Sequence, residues 1–232
     1  MTETAAVRAD PWRLARTADA YHKYTIDYPL YDVTSRELAE AAGTSAGMRV
    51  ADLGCGTGVT TEAIARRVGP AGRVLALDSS PAMLARARAR LPAANVTWHE
   101  GPAERADELI AGRVDQVLCN MAFWQFDLGR VLAAVARLTD GGPLAFSLGY
   151  RRPPGSDPDV AALAAGWRQR LRQHGYDVVG CSQSAHEESA DALAAWLKLP
   201  LGRSASGAAA GGSGLMHAVY LVCRYRPGAR RA

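Results

Sequence analysis

The sequence predicts an α/β domain built on a doubly wound, mostly parallel sheet, and three observations lead there. An apolar run, Val50 to Leu53, is followed at once by glycines at alternate positions, Gly54, Gly56 and Gly58. A second apolar run, Val74 to Leu77, ends in an acid, Asp78, which stands 20 residues beyond Gly58. Between and after these runs, segments with helical patterning alternate with short strand-like ones, as parallel sheets with helical crossovers require.

Taking the chain in order, residues 1 to 10 are polar and expected to fray. From Pro11 to Tyr31 the character changes, with Trp12, Tyr21, His22, Tyr24, Tyr28 and Tyr31 crowded together. Aromatic bodies with polar tips suit the wall of a cleft that is apolar within and needs a few oriented hydrogen bonds. They suit equally a helix packed onto the sheet. A helix is expected from about Thr34 to Ala42, stopping at Gly43.

The stretch Met48 to Gly58 reads as strand, tight loop and a helix opening near Thr57. Residues without Cβ let the chain turn sharply and let a ligand lie against the backbone. The spacing is not the G-x-G-x-x-G of dinucleotide binding. It is Asp52-x-Gly54-x-Gly56-x-Gly58, and an acid at the strand's end suits an ammonium or sulfonium group while repelling a pyrophosphate. Asp78 occupies the position at which a doubly wound fold takes up ribose hydroxyls.

These pieces, with Leu77-Asp-Ser-Ser-Pro-Ala-Met-Leu84, Val114-Asp-Gln-Val-Leu-Cys-Asn120 and Ala136 to Gly142 following in order, resemble the class I S-adenosylmethionine-dependent methyltransferases of small-molecule type. The resemblance implies a Rossmann-like, seven-stranded sheet with an antiparallel last strand, which Ala218 to Arg224 would supply. It implies S-adenosyl-L-methionine as cofactor. It also implies roles: Asp52, Gly54, Cys55, Gly56 and Gly58 around the loop, Asp78 and Ser79 at the ribose, and Met83 against the adenine. Pro102, Ala103 and Glu104 would lie beside the adenine edge, with Asn120 and Met121 at the end of the fourth strand. Similar enzymes fold a Tyr-x-x-Tyr segment over the cofactor, which Tyr21 and Tyr24 match.

Two departures stand out. Pro102 replaces a common acid and has neither carboxylate nor backbone donor. Glu104 could supply an acceptor instead. Trp124 takes the place of a common histidine, removing the usual base and adding an aromatic face that could stack on a substrate or hold a sulfonium methyl. Tyr21, Tyr28, Trp124 and Gln125 are therefore candidate substrate contacts. His22, His186 and His217 are the candidate bases, whereas His99, alternating with Trp98, reads as structural.

Further on, Thr57 to Val68, Pro81 onward and Leu128 to Leu138 read as helices. Val96 to Gly101, Val114 to Cys119, Leu144 to Leu148 and Tyr176 to Cys181 read as strands. Pro153 to Pro158 breaks the chain before a helix from Val160 to His174. The domain plan is thus a helical lid segment at 1–45 and a cofactor-binding domain at 46–232. Within it, an insertion at 185–215 holds a helix from Glu187 to Leu197 and a glycine-rich gate from Leu201 to Gly214.

Composition bounds the partners. A chain of 232 residues can bury a sizeable core. It has no long apolar run and no basic-then-apolar start, so a soluble cytoplasmic protein is expected, as monomer or homodimer. The net charge of +4 comes from dispersed arginines, Lys23 and Lys198 being the only lysines, and aromatics do not interleave with them. Nucleic acid is therefore not the expected partner. Four scattered cysteines offer no clustered metal site and read as reduced packing residues.

The expected reaction is methyl transfer to an oxygen, nitrogen or carbon of a small, specialised metabolite of fairly apolar character. Two alternatives remain open at this point. One is a cofactor-binding relative without methyl transfer, a cyclase or a binding protein, which Pro102 and Trp124 keep alive. The other is an enzyme acting on RNA or protein, although no Asn-Pro-Pro-Tyr signature follows the fourth strand.

Overall fold

The computed structural model describes residues 10–152, 159–201 and 214–226. The expected frayed start, the break at Pro153 to Pro158 and most of the expected gate lie outside the described residues. The helices are α1 (Ala15–Asp27), α2 (Leu30–Ala41), α3 (Val59–Val68), α4 (Pro81–Arg90), α5 (Ala106–Leu109), α6 (Leu128–Thr139), α7 (Val160–Arg172) and α8 (Ala190–Leu197). The strands are β1 (Arg49–Leu53), β2 (Arg73–Asp78), β3 (Val96–Glu100), β4 (Gln116–Cys119), β5 (Leu144–Arg152), β6 (Tyr176–Glu188) and β7 (Gly214–Tyr225).

All seven strands form one sheet in the order β3-β2-β1-β4-β5-β7-β6. The pairs from β3 across to β5 are parallel, and β7 runs antiparallel to both β5 and β6. This is the Rossmann-like arrangement with an antiparallel last strand. Both faces of the sheet are covered, which explains why β1 and β4 read as continuous apolar runs and not as alternations. Leu53, Val117 and Phe146 pack with Leu132 and Val135 on one face, and Val50, Leu118 and Ala145 with Leu38 and Ile64 on the other.

Local chemistry fixes the helix starts. Pro81 opens α4, and the Ser80 hydroxyl accepts a hydrogen bond from the Met83 N–H at 3.3 Å. Asp127, Asp159 and Ser189 cap α6, α7 and α8 in the same way.

Three expectations need correction. The N-terminal segment holds two helices: α2 starts at Leu30 and not at Thr34, because Pro29 is accommodated at its N-cap. Strand β6 runs on to Glu188, where it still pairs with Gly214, so the helix expected from Glu187 begins at Ala190. Cys181 is exposed on the edge strand, whereas Cys55, Cys119 and Cys223 are buried free thiols.

Among the described residues, no helix is long and apolar enough to cross a membrane. None of their His, Cys, Asp and Glu side chains group as a metal site.

Candidate functional site

A cavity of about 370 Å³ opens over the carboxyl ends of β1, β2, β4 and β5. Ligands bind at this edge in open α/β sheets, outside the strand ends near the point where strand order reverses. Gly54, Gly56, Asp78, Ser79 and Met83 line one end of it. Pro102, Ala103 and Glu104 form its flank, and Asn120, Met121, Trp124 and Gln125 its other side. Tyr21, Tyr31 and Trp196 wall it from above, and Arg151 and Met216 close the end beyond β4.

The loop after β1 depends on its glycines. Gly56 has φ 51° and lines the cavity, so the backbone there can approach a ligand. Gly58 serves packing: with φ 85°, a Cβ on it would sit 3.2 Å from both Ala87 Cβ and the Trp98 ring. The Gly56 N–H donates to Asp78 Oδ2 at 2.8 Å, and the Ser80 N–H donates to Asp78 Oδ1 at 2.8 Å. Asp78 thereby ties the glycine loop to the end of β2. A carboxylate offers about four acceptor sites, so two remain for hydroxyls of a ligand. Burial raises the Asp78 carboxyl, the two N–H donors opposing it.

Asp52 lies one layer below. It is 1% exposed and does not line the cavity. Its Oδ2 accepts a hydrogen bond from Thr61 at 2.7 Å, while Oδ1 is buried with no hydrogen-bond partner among the described residues. Burial pushes its carboxyl up to about 7, Thr61 opposing and the nearby Asp78 charge reinforcing the rise.

Several other expected contacts also lie off the cavity surface. Cys55 packs with Ala76 and Leu84. Tyr24 turns its hydroxyl to Glu188 Oε1 at 3.2 Å, and Tyr28 packs its ring 5.1 Å from that of Tyr24. Asn120 does line the cavity, but its amide nitrogen donates to Ser35 and Thr34 and its oxygen accepts from Ser147. It ties α2 to the end of β4. Glu104 lines the cavity while accepting from the Asp127 N–H at 2.9 Å. Trp124, 56% exposed, stands at the mouth and donates from Nε1 to the Met121 carbonyl at 3.1 Å.

None of the three expected histidine bases lines the cavity. His22 faces α4, where Arg86 and Arg90 add to burial in lowering its pKa. His186 shares a face of the sheet with Met216, which pairs with it and stands between it and Arg151. Its ring is taken up by Ser184 at 2.8 Å and Glu37 at 3.1 Å. His217 follows Met216 on β7 and so points to the opposite face of the sheet.

Arg151, which sequence reasoning did not single out, is the cavity's cation. It donates from Nε to Glu188 Oε2 at 2.6 Å and from Nη2 to Oε1 at 3.0 Å, and its guanidinium carbon lies 4.2 Å from the Trp196 ring centre. Burial works against its charge, but Glu188 and the neighbouring Tyr31 and Tyr24 outweigh it and hold its pKa above the usual value. A signal was present in the sequence. Arg151 continues the alternation Ser147, Gly149, Arg151 at the carboxyl end of the fifth strand, where ligands bind.

The sheet order, the glycine loop tied to Asp78 and the cavity above the strand ends together define the class I S-adenosylmethionine-dependent methyltransferases. Residues 50–142 match the family described as a methyltransferase domain, so this chain carries that domain. Its cofactor is S-adenosyl-L-methionine, and the cavity-lining Gly56 backbone, Asp78 and the orphaned Asp52 Oδ1 fit a nucleoside that bears positive charge.

Among curated relatives, a trans-aconitate 2-methyltransferase of Paracidovorax citrulli is 35% identical over 145 residues, covering 59% of this chain and 53% of its own. A magnesium-protoporphyrin O-methyltransferase of Rhodobacter capsulatus is 37% identical over 99 residues, covering 40% of this chain and 42% of its own. This chain thus spans about half the length of the curated relatives it matches. A solved structure of a methyltransferase from Geobacter sulfurreducens, in complex with S-adenosyl-L-homocysteine, has the same fold. Its TM-score is 0.56 at 19% identity, covering 86% of this chain and 92% of that one.

Proposed function

We propose that the protein transfers the methyl group of S-adenosylmethionine to an oxygen, nitrogen or carbon of a small organic molecule, a specialised metabolite. The observation that carries this reading is that one cavity joins the glycine loop and Asp78 to a walled chamber bounded by Tyr21, Tyr31, Trp196 and Arg151. When bound, the cofactor supplies an electrophilic methyl group on a sulfonium.

The remaining work falls to the chain's own residues. Asp78 would hold the ribose hydroxyls, and Met83 would face the adenine. The Gly54 to Gly56 backbone would face the amino-acid portion, and the field of the buried Asp52 would favour its positive end. The aromatic wall excludes water and orients the acceptor, and such alignment alone can supply much of the acceleration. A cavity at the lower end of the usual range of about 300–1,000 Å³ supports a small acceptor over a polymer. The relatives named for trans-aconitate and for magnesium-protoporphyrin support the same class.

The test is incubation with methyl-labelled cofactor and an extract of small metabolites, followed by separation of the products by mass. Label in a small product is the expected result. Calorimetric binding of the cofactor with no transfer to any fraction would favour a binding protein or cyclase instead.

A further inference from the structure

We propose that Met121 and Met216, whose side chains meet over Gly149, set the size of the acceptor that the chamber admits, so that Gly149 determines specificity by leaving them room. This rests on the reading above and deepens it: an apolar portion of the acceptor is selected here by its bulk. Gly149 and Met216 lie beyond the matched residues 50–142, so the family match does not address them.

Asp78 stands at the end of β2 and Met216 on β7, with β1, β4 and β5 between them in the sheet. At about 4.8 Å per strand, the two ends of the cavity lie roughly 19 Å apart. The glycine loop and Asp78 occupy the first end, so Met121, Gly149 and Met216 line the part left to the acceptor. Polar side chains around that part are already engaged. Glu188 takes Arg151, Asn120 is bound to Thr34, Ser35 and Ser147, and Tyr21 hydrogen-bonds Tyr31. What they leave to an acceptor is a surface of rings and thioethers, which discriminates by shape and volume.

Gly149 sits inside β5 opposite Ala218, and Met216 is its diagonal neighbour on the same face. Its backbone is not left-handed, so the freedom of glycine is not what the position uses. The missing side chain is. A Cβ there would overlap the Met216 methyl carbon and lie 2.8 Å from Met121 Sδ. Two thioethers, one from the loop after β4 and one from β7, thus fill the hollow between Gly149 and Ala218.

Met121 adds an independent observation. Its φ of 57° is left-handed, a region that a residue with a Cβ rarely adopts. Its N–H donates to Ser147 Oγ at 2.9 Å and its carbonyl accepts from Trp124 Nε1 at 3.1 Å, so the conformation is held from both sides. Strain maintained in this way at a ligand site aims a side chain. The thioether end, unbranched and polarizable, still adapts to what it meets.

In Gly149→Ala the atoms struck are the free ends of flexible side chains, so the thioethers swing aside and the strand stays. The open space beside them is the cavity they line, and the chamber shortens. Met216→Ala lengthens it. Combining the two substitutions returns part of the lost room.

The experiment incubates the purified full chain and these three variants with methyl-labelled S-adenosylmethionine and an extract of small metabolites, and separates the products by mass. Relative to the lightest labelled product, Gly149→Ala should lose the heaviest by roughly ten- to two-hundredfold, the range by which an apolar pocket discriminates one methylene. Met216→Ala should add labelled products heavier than any the unaltered chain gives, and the double variant should recover those that Gly149→Ala loses. The Kd of S-adenosylhomocysteine should stay within about twofold throughout. With isotope-labelled methionine methyls, the NMR signals that Gly149→Ala moves should be those of Met121 and Met216, among the chain's five methionines.

Folded variants whose products keep the masses and proportions of the unaltered chain overturn the role given to Gly149 and leave methyl transfer standing. Equal loss of every product in Gly149→Ala, unrelieved in the double variant, overturns it too, because packing alone then explains the glycine. Should Gly149→Ala fail to fold, Met216→Ala decides by itself. No label from the unaltered chain, with calorimetry showing the cofactor bound, overturns both this inference and methyl transfer.

Discussion

Asp52 and Asp78 show how two carboxylates in one neighbourhood take different work from their surroundings. Asp78 lines the cavity with both oxygens anchored to backbone N–H groups, and its unused acceptor sites are left for a ligand. Asp78→Asn should weaken cofactor binding roughly tenfold to several hundredfold, since hydrogen bonds to a charged acceptor contribute about 1.5–3 kcal/mol each. Calorimetric titration reads this directly, and an unchanged Kd would remove Asp78 from the site. Asp52 bears on stability instead. Its folded carboxyl titrates at about 7, whereas an unfolded one titrates near 4. Between those values the folded state holds a proton that the unfolded state has released, so stability falls as pH rises through the window. Denaturation of the unliganded protein at pH 5 and pH 8 should show that descent, on the order of a few kcal/mol. Asp52→Asn should flatten it, and equal pH slopes in the two proteins would show that Asp52 is not the group responsible.

At the scale of elements, the joint between β1 and α3 is the most demanding. Gly58 combines a left-handed backbone with a space too tight for a methyl group, because Ala87 of α4 and Trp98 of β3 press on it from the side. Gly58→Ala should cost about 1–3 kcal/mol, seen as a lowered urea midpoint with unchanged slope. Strands β1 to β4 and their helices were legible in the sequence because apolar runs, capping residues and glycines all point the same way there. The far side of the sheet was less so. The lengths of β6 and β7 come from pairing with each other across a long separation in sequence, down to Glu188 with Gly214. The register of that ladder also decides what the histidines face. Only once Tyr150 is known to pair with His217 and Arg151 with Met216 does it follow that His217 lies on the opposite face from the cavity. Arg151 itself escaped notice because the apolar run that marks β5 ends at Leu148, three residues short of it.

Across the whole molecule, the cavity has a floor and a roof of different origin. Most of the floor comes from strand ends and loops within residues 50–142, the part matched by the methyltransferase family, and Gly149 and Arg151 of β5 extend it. The roof comes from outside it: Trp12 before α1, Tyr21 on α1, Tyr31 on α2 and Trp196 on α8. These rings form one cluster with Tyr24, Leu199 and Leu201, separate from the two clusters that sandwich the sheet. Tyr21 packs edge-on to Tyr31 with centroids 5.4 Å apart, and Tyr31 lies 5.8 Å from Trp196. The roof thus rests on a small apolar cluster and the Arg151–Glu188 pair, and should open at lower free energy than the sheet. A ligand that bridges floor and roof should stabilise the roof most. At a hundredfold excess over Kd, S-adenosylhomocysteine should slow amide exchange in α1 and α8, by an amount approaching the roughly 2.7 kcal/mol that mass action allows. Exchange in β1 and β4 that proceeds by local opening should change little. Trp196→Ala should reduce that protection in α1 as well as α8, because the ring contacts Tyr21 and Tyr24 across the gap. Uniform protection of sheet and roof would mean that the roof belongs to the same cooperative unit as the core and does not open separately to admit the acceptor.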